Sequence, residues 1–312
     1  MLYGLDVTHV DEKCMLSLEN SHRNFAKYVQ NLPQNTPNPA PLATVGWISI
    51  SAYVAYIKIM FLVRTLCLPV SSIYRKVLVY RFKLIMEDTR LRKNTIISPV
   101  ESMIYCVNRY GLTDTIASLI TGGNQSKVNP TKGYVKRLIL EFETAQWKAS
   151  CMLYPQLDNY MKVVSSIKMY VWWEFVPRQP HLTKYVSAVL ALLSGSQPVG
   201  MQQNFGKRFC SLCSKRARDT PAHILFDCEA LNDLRKKWLT KVYRSMPAGM
   251  VTSMINANDV DKCQLFLSAL KCEHFVDEWT DIFSNISTFV HQMYHERSHI
   301  YERLINANAE PL

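Results

Sequence analysis

Between Cys210 and Cys228 the chain reads CSLCSKRARDTPAHILFDC, which places three of its nine cysteines and one of its eight histidines in a single short segment. The spacing is C-x2-C-x9-H-x4-C. Two thiolates three positions apart can be presented from one tight turn. An imidazole and a thiolate five positions apart sit about a helical turn from each other and supply the other half of a tetrahedron. Zinc suits this donor set, because it accepts three thiolates and one imidazole without geometric preference, and a closed four-ligand shell leaves no position for water or substrate. The expectation is therefore a structural Zn2+ held by Cys210, Cys213, His223 and Cys228. Thr220-Pro221 reads as an N-cap followed by proline at the first helical position, which puts His223 in the first turn. The competing reading, three thiols buried as small hydrophobes, explains neither the CxxC nor the well-spaced second pair.

A chain of 312 residues can bury a sizeable core. Its ten glycines are about 3% of the sequence against a usual ~7%, which argues against a turn-rich β fold. The expected class is all-α, a multi-helix array with one small zinc module near residues 206–230. Lysine and arginine number 36 against 25 acidic residues, a net charge of +11 that favours a polyanionic partner such as RNA or DNA, although a membrane surface would also accept it. Cys14, Cys67, Cys106, Cys151, Cys263 and Cys272 stand singly in apolar stretches and read as reduced core thiols, implying an intracellular compartment, nuclear or cytoplasmic. MLYGLDVTHVDEK lacks the basic and apolar regions of a secretory signal. The one transmembrane candidate, Val45 to Val70, contains Lys58 and Arg64 and reads better as a buried core helix.

Along the chain, Met15, Leu18, His22, Phe25, Val29 and Leu32 form one apolar helical stripe. The four prolines of LPQNTPNPAPLATVG predict a loop. Helices are expected near Ile48–Leu66 and Ser72–Met86. Ser98-Pro99-Val100-Glu101 offers an N-cap, a first-turn proline and a glutamate three residues after the cap, so a helix should run to about Tyr110 and stop at Gly111. Pro130 opens a long basic helix to about Cys151, and two more are expected near Gln156–Phe175 and His181–Leu193. The stretch from Gly195 to Phe205 reads as a linker. A basic helix should follow Cys228 to about Arg244, with further helices near Asp259–Leu270 and Glu273–Ile305. The domain division expected from this reading is 1–195, 196–246 and 247–312.

The ordered set of motifs resembles the C-terminal part of non-LTR (LINE-type) retrotransposon reverse transcriptases: the thumb, the helical region beyond it and the terminal zinc knuckle. The resemblance is carried by Leu2-Tyr3-Gly4, by LENSHRNFAKYVQNLPQNTPNPA from Leu18, and by GWISISAYVAYIKIMFLVRTLCLP from Gly46. LLSG from Leu192 and the knuckle, with its AHILFDCEALNDLR continuation to Arg235, complete it. A polymerase palm needs paired carboxylates to hold two metal ions, and this chain contains no Asp-Asp and no Gly-x4-Gly-Lys phosphate loop. The resemblance thus implies the nucleic-acid-handling tail of a polymerase without its catalytic half.

An enzyme is not expected from other features. His295-Glu296-Arg297-Ser298-His299 matches H-E-x-x-H in form, but the extended motif needs glycine and histidine where the chain has Glu302 and Ile305. His291 and His299 would lie about 12 Å apart along a straight helix. Cys272 and His274 face different directions on a helix and make a poor nucleophile pair. The remaining signal is charge. Lys207, Arg208, Lys215, Arg216 and Arg218 surround the first two ligands, and Arg235, Lys236 and Lys237 follow the last. They suit phosphate contacts, with Phe209 and Phe226 offering faces for base stacking, or else form a solvated face and a small knuckle core. Two functions stay open. One is a non-catalytic nucleic-acid-binding fragment whose partner is single-stranded or structured RNA, with no small-molecule substrate and no membrane. The other is a helical scaffold whose knuckle contacts protein.

Overall fold

Proline at a helix's first position and a glutamate two residues on satisfy orphan N–H groups locally, and the chain uses this device where its sequence advertises it. Ser98 accepts from the Glu101 amide at 3.2 Å while the Glu101 carboxylate accepts from the Ser98 amide at 2.6 Å, and Gly111, at φ +67°, ends the element. The computed structural model describes residues 4–87, 97–121, 131–196, 209–215, 217–272 and 274–309. Pro130 and most of the Gly195 to Phe205 stretch lie outside them. The helices are α1 (Glu12–Val29), α2 (Pro39–Thr44), α3 (Ile50–Leu66), α4 (Ile73–Glu87), α5 (Pro99–Arg109), α6 (Thr113–Thr121), α7 (Lys132–Met152), α8 (Asp158–Val163), α9 (Val171–Phe175), α10 (Thr183–Leu193), α11 (Asn232–Ser245), α12 (Ala248–Asn256), α13 (Asp259–Leu267) and α14 (Thr280–Ala309). Among the described residues there is no β-strand, only the isolated antiparallel bridges Val45–Met169 and Phe209–Arg218. The fold is all-α, and none of its helices is long and apolar enough to cross a membrane among the residues described.

Two compact units form, one from Met1–His22 with Ile48–Gln146 and the other from Arg23–Trp47 with Trp147–Leu312. Residues on both sides of the expected boundary after Gly195 belong to the second unit.

In the first unit α3 is the central helix. Ile59, Leu62 and Leu66 on α3 are buried in one cluster with Met103, Val107 and Ile116, each such side chain contributing about 1.5–3 kcal/mol on burial. Lys58, only 3% exposed, survives there because its ammonium donates to Ser102 Oγ at 2.6 Å, and burial lowers its pKa. Glu143 gathers Ser49 Oγ at 2.9 Å, Tyr110 Oη at 2.9 Å and the Arg109 guanidinium at 3.5 Å.

In the second unit Trp172, Phe175, Phe275 and Phe283 form one aromatic cluster and Phe226, Phe266 and Phe289 another. Several expectations are corrected here. The proline-rich stretch contains α2, because Pro39 sits at its first position, where no amide hydrogen is needed. The single helix expected over Gln156–Phe175 is broken between α8 and α9, where Met169 bridges to Val45 and the Tyr170 amide donates to the Thr44 carbonyl at 2.9 Å. The apolar stripe of α1 is not its buried face. Phe25 is 54% exposed, while Ala26 and Gln30 are wholly buried and Glu19 nearly so. The polar pair is inside for its hydrogen bonds: Glu19 accepts from the Ser51 amide in the first unit, and Gln30 engages Thr44 and the Pro41 carbonyl in the second. Of the six single cysteines, Cys14 and Cys67 are exposed and not core thiols.

Candidate metal centre

Cys210 and Cys213 lie on a turn closed by the Phe209–Arg218 bridge and by the Cys210 amide donating to the Ala217 carbonyl at 2.8 Å. His223 and Cys228 come from the next segment. Pro221 starts it and Thr220 Oγ1 accepts from the His223 amide at 3.2 Å, the cap the sequence advertises. From His223 to Asp227 the helix widens to a π turn, so the Cys228 amide reaches the His223 carbonyl at 2.7 Å and the five-residue step returns Cys228 to the imidazole's side.

The four donor atoms all lie within 4.8 Å of one another. Cys210 and Cys228 Sγ are 3.8 Å apart, and Cys213 Sγ is 3.5 Å from His223 Nε2. Zn–S bonds of ~2.3 Å and a Zn–N bond of ~2.0–2.1 Å at tetrahedral angles place two thiolates ~3.8 Å apart and a thiolate and imidazole nitrogen ~3.5–3.6 Å apart. The residues therefore fit a four-coordinate ion. Cys210, His223 and Cys228 are buried and Cys213 is half-buried. The hydrogen bond between the Cys228 and Cys210 thiols pulls Cys210 below the usual thiol range and pushes Cys228 above it. A metal ion bound by these four donors would take the place of that shared proton.

Two neighbours hold the donor residues in place and a third pins the loop between them, and the sequence pointed to only one of the three, Arg235. Asp227 Oδ2 accepts from His223 Nδ1 at 2.9 Å, which turns Nε2 toward the thiolates, and its other oxygen meets Lys215 Nζ at 2.5 Å. Spacing of four from His223 is the signal that would have found it. Arg235 donates to the Leu225 carbonyl at 2.8 Å and the Cys228 carbonyl at 2.6 Å. Asp219, inside the loop between the ligand pairs, forms a buried ion pair at 2.5 Å with Arg297 of α14. Nothing in the local sequence links those two positions, 78 residues apart.

The expected basic surface divides accordingly. Arg218, Lys236 and Lys237 are exposed, and no carboxylate pairs with them among the described residues. Lys215 is exposed but held by Asp227. Arg235 departs from expectation: it is 7% exposed, because its guanidinium is spent on two buried carbonyls, and it offers no charge to a partner. Lys207, Arg208 and Arg216 lie outside the described residues. The two phenylalanines separate likewise. Phe226 packs on Phe266 and Phe289 as core, while Phe209 is 53% exposed.

The H-E-x-x-H segment presents a different face. His295 and His299 are exposed, Glu296 pairs with Arg303, and the inward side chain is Arg297. The Cys3His group is the only cluster of three or more metal-ligating side chains among the described residues. No protein-family model, curated protein or solved structure matches the chain.

Proposed function

We propose that the chain is a non-catalytic nucleic-acid-binding region, resembling the thumb and knuckle end of a LINE-type reverse transcriptase, in which Cys210, Cys213, His223 and Cys228 hold a structural zinc. The observation that carries the proposal is the tetrahedral spacing of the four donors beneath an exposed Phe209–Arg218 bridge. Residues bridged across two antiparallel segments lie side by side, so the rigid turn sets an aromatic ring for base stacking beside a cation for phosphate. Lys236 and Lys237, in the first turns of α11 after the last ligand, extend the positive surface. Zinc's contribution is architectural: with all four positions filled by protein it fixes where these charges point and offers no open coordination site. Such a region would work inside the cell, in nucleus or cytoplasm, where thiols stay reduced.

The test is single-stranded RNA binding by fluorescence anisotropy across a salt series. Each phosphate neutralised on a single strand contributes about −0.7 to the slope of log K against log salt, so replacing Arg218, Lys236 and Lys237 by alanine should make the slope shallower by ~2. Binding that ignores salt would replace this proposal with a protein-contacting scaffold.

A further inference from the structure

Away from the metal centre, the second unit contains a cleft of about 360 Å3 whose lining mixes lysines and other polar groups with apolar side chains such as Val164 and Val171, at the small end of the ~300–1,000 Å3 usual for ligand sites. One wall is the irregular segment between α8 and α9, the other the C-terminal end of α13 and the turn after it. Lys162, Lys168 and Lys271 line it together with Ser165, Ser166 and the Gln264 amide, and no carboxylate does. None of the ion pairs among the described residues engages these three lysines.

Both walls are fixed. The first is pinned by the Met169–Val45 bridge and by Gly46, where a Cβ would come within 2.5 Å of the Met169 nitrogen. The two walls are tied through one atom: the Leu267 carbonyl accepts from Tyr170 Oη at 2.7 Å and from Trp172 Nε1 at 3.0 Å. Beyond it Ala269, Leu270 and Lys271 all adopt positive φ, at 51°, 58° and 62°. Side chains avoid this conformation at a cost of roughly 1–2 kcal/mol per residue, and here it turns the chain so that Lys271 lines the cleft. Three lysines lining one cleft with no carboxylate among its lining residues make it a cationic surface, and a multivalent oxyanion would supply the counter-charge while using the hydroxyl and amide donors.

We infer that this cleft is a phosphate-binding site, occupied by a backbone phosphate of the RNA strand that the basic surface at the metal centre engages. The cation set and fixed walls stand by themselves; only the source of the phosphate rests on the nucleic-acid reading. Lysine acylation by an N-hydroxysuccinimide ester, read peptide by peptide in the zinc-loaded full chain, tests it with three probes: a short single-stranded RNA, adenosine 5′-monophosphate and inorganic phosphate. RNA should protect Lys162, Lys168 and Lys271. The Lys162→Gln, Lys168→Gln, Lys271→Gln variant, its fold checked by circular dichroism, should lose ~0.7 from the salt slope, the share of one phosphate, beyond the loss at Arg218, Lys236 and Lys237. If RNA binds while these lysines acylate at the free rate and the slope is unchanged, the cleft is overturned and the metal-centre surface stands. If RNA does not bind but the monophosphate or inorganic phosphate protects the three lysines, the phosphate site stands and the nucleic-acid reading falls. Protection by none of the probes overturns the site outright.

Discussion

Arg235 carries a charge that solvent barely reaches. Its guanidinium satisfies the carbonyls of Leu225 and Cys228 at the point where the ligand segment turns into α11. Removing it leaves two buried acceptors unsatisfied, at about 1–3 kcal/mol each. Arg235→Ala should therefore lower unfolding stability by about 2–6 kcal/mol in urea titrations while leaving the RNA salt slope unchanged. A shallower slope with unchanged stability would return Arg235 to the binding surface. His291 shows the same inward use of a polar side chain. It packs edge-on against Tyr185, with ring centroids 4.5 Å apart, and its ring is tilted against that of His295 at 4.1 Å. Burial first, then His295 and Lys184, hold its pKa down to about 4. The groups facing it are thus Lys184 and Tyr185 of α10 and His295 of its own helix. The folded chain leaves His291 neutral where the unfolded chain takes a proton near pH 6.5, so its contribution to stability falls as pH drops from ~6.5 toward 4 and levels off below. A His291→Gln variant should show a flatter acid limb over that window than the parent, measured as the difference between urea midpoints. Parallel limbs would place the imidazole in water.

Among the elements, those specified by neighbours in sequence were legible and those specified by distant partners were not. The Ser98 capping box and the Thr220 cap could be read because donor and acceptor sit three residues apart. The cluster of four donors that could hold a metal was legible for a related reason: two short intervals fix two local pairs, and only their approach is tertiary. The break between α8 and α9 was hidden because its cause, the bridge from Met169 to Val45, lies 124 positions away in sequence. Hydrophobic periodicity named the wrong face of α1 because Glu19 and Gln30 are buried for hydrogen bonds to Ser51, Pro41 and Thr44, a role that a polar residue type does not advertise. The proline-rich stretch misled in the opposite sense: a proline count says loop, yet Pro39 occupies the one helical position where proline costs nothing. The same contrast separates Lys236 from Arg235. Adjacent positions on α11 differ by one helical step of about 100°, which takes one side chain to solvent and the other under the ligand segment.

At the scale of the molecule, the two compact units differ in what holds them. The first has a continuous aliphatic cluster around α3. The second wraps its ligand segment with long-range polar links, Asp219 to Arg297 and Arg235 to the Cys228 carbonyl, and with the Phe226–Phe289 contact. Those links exist only while the segment keeps its shape. Without an ion that shape depends on thiols and an imidazole sharing hydrogen bonds; with one it depends on four coordinate bonds, so metal binding is folding free energy. All six tryptophans, at positions 47, 147, 172, 173, 238 and 279, fall within the second unit, which makes tryptophan emission a reporter of that unit alone. On the proposed zinc site, zinc at about 1,000 times its Kd would add about 4 kcal/mol to the folded state. At roughly 2–4 °C per kcal/mol for a unit of this size, that moves Tm by ~8–16 °C. Chelation should lower the tryptophan-detected midpoint by that order and re-addition of zinc should restore it, while Cys228→Ser should start low and not respond. A midpoint indifferent to chelator and to zinc in the parent chain would mean that the four donors are held together by the surrounding fold and that the ion contributes nothing to it.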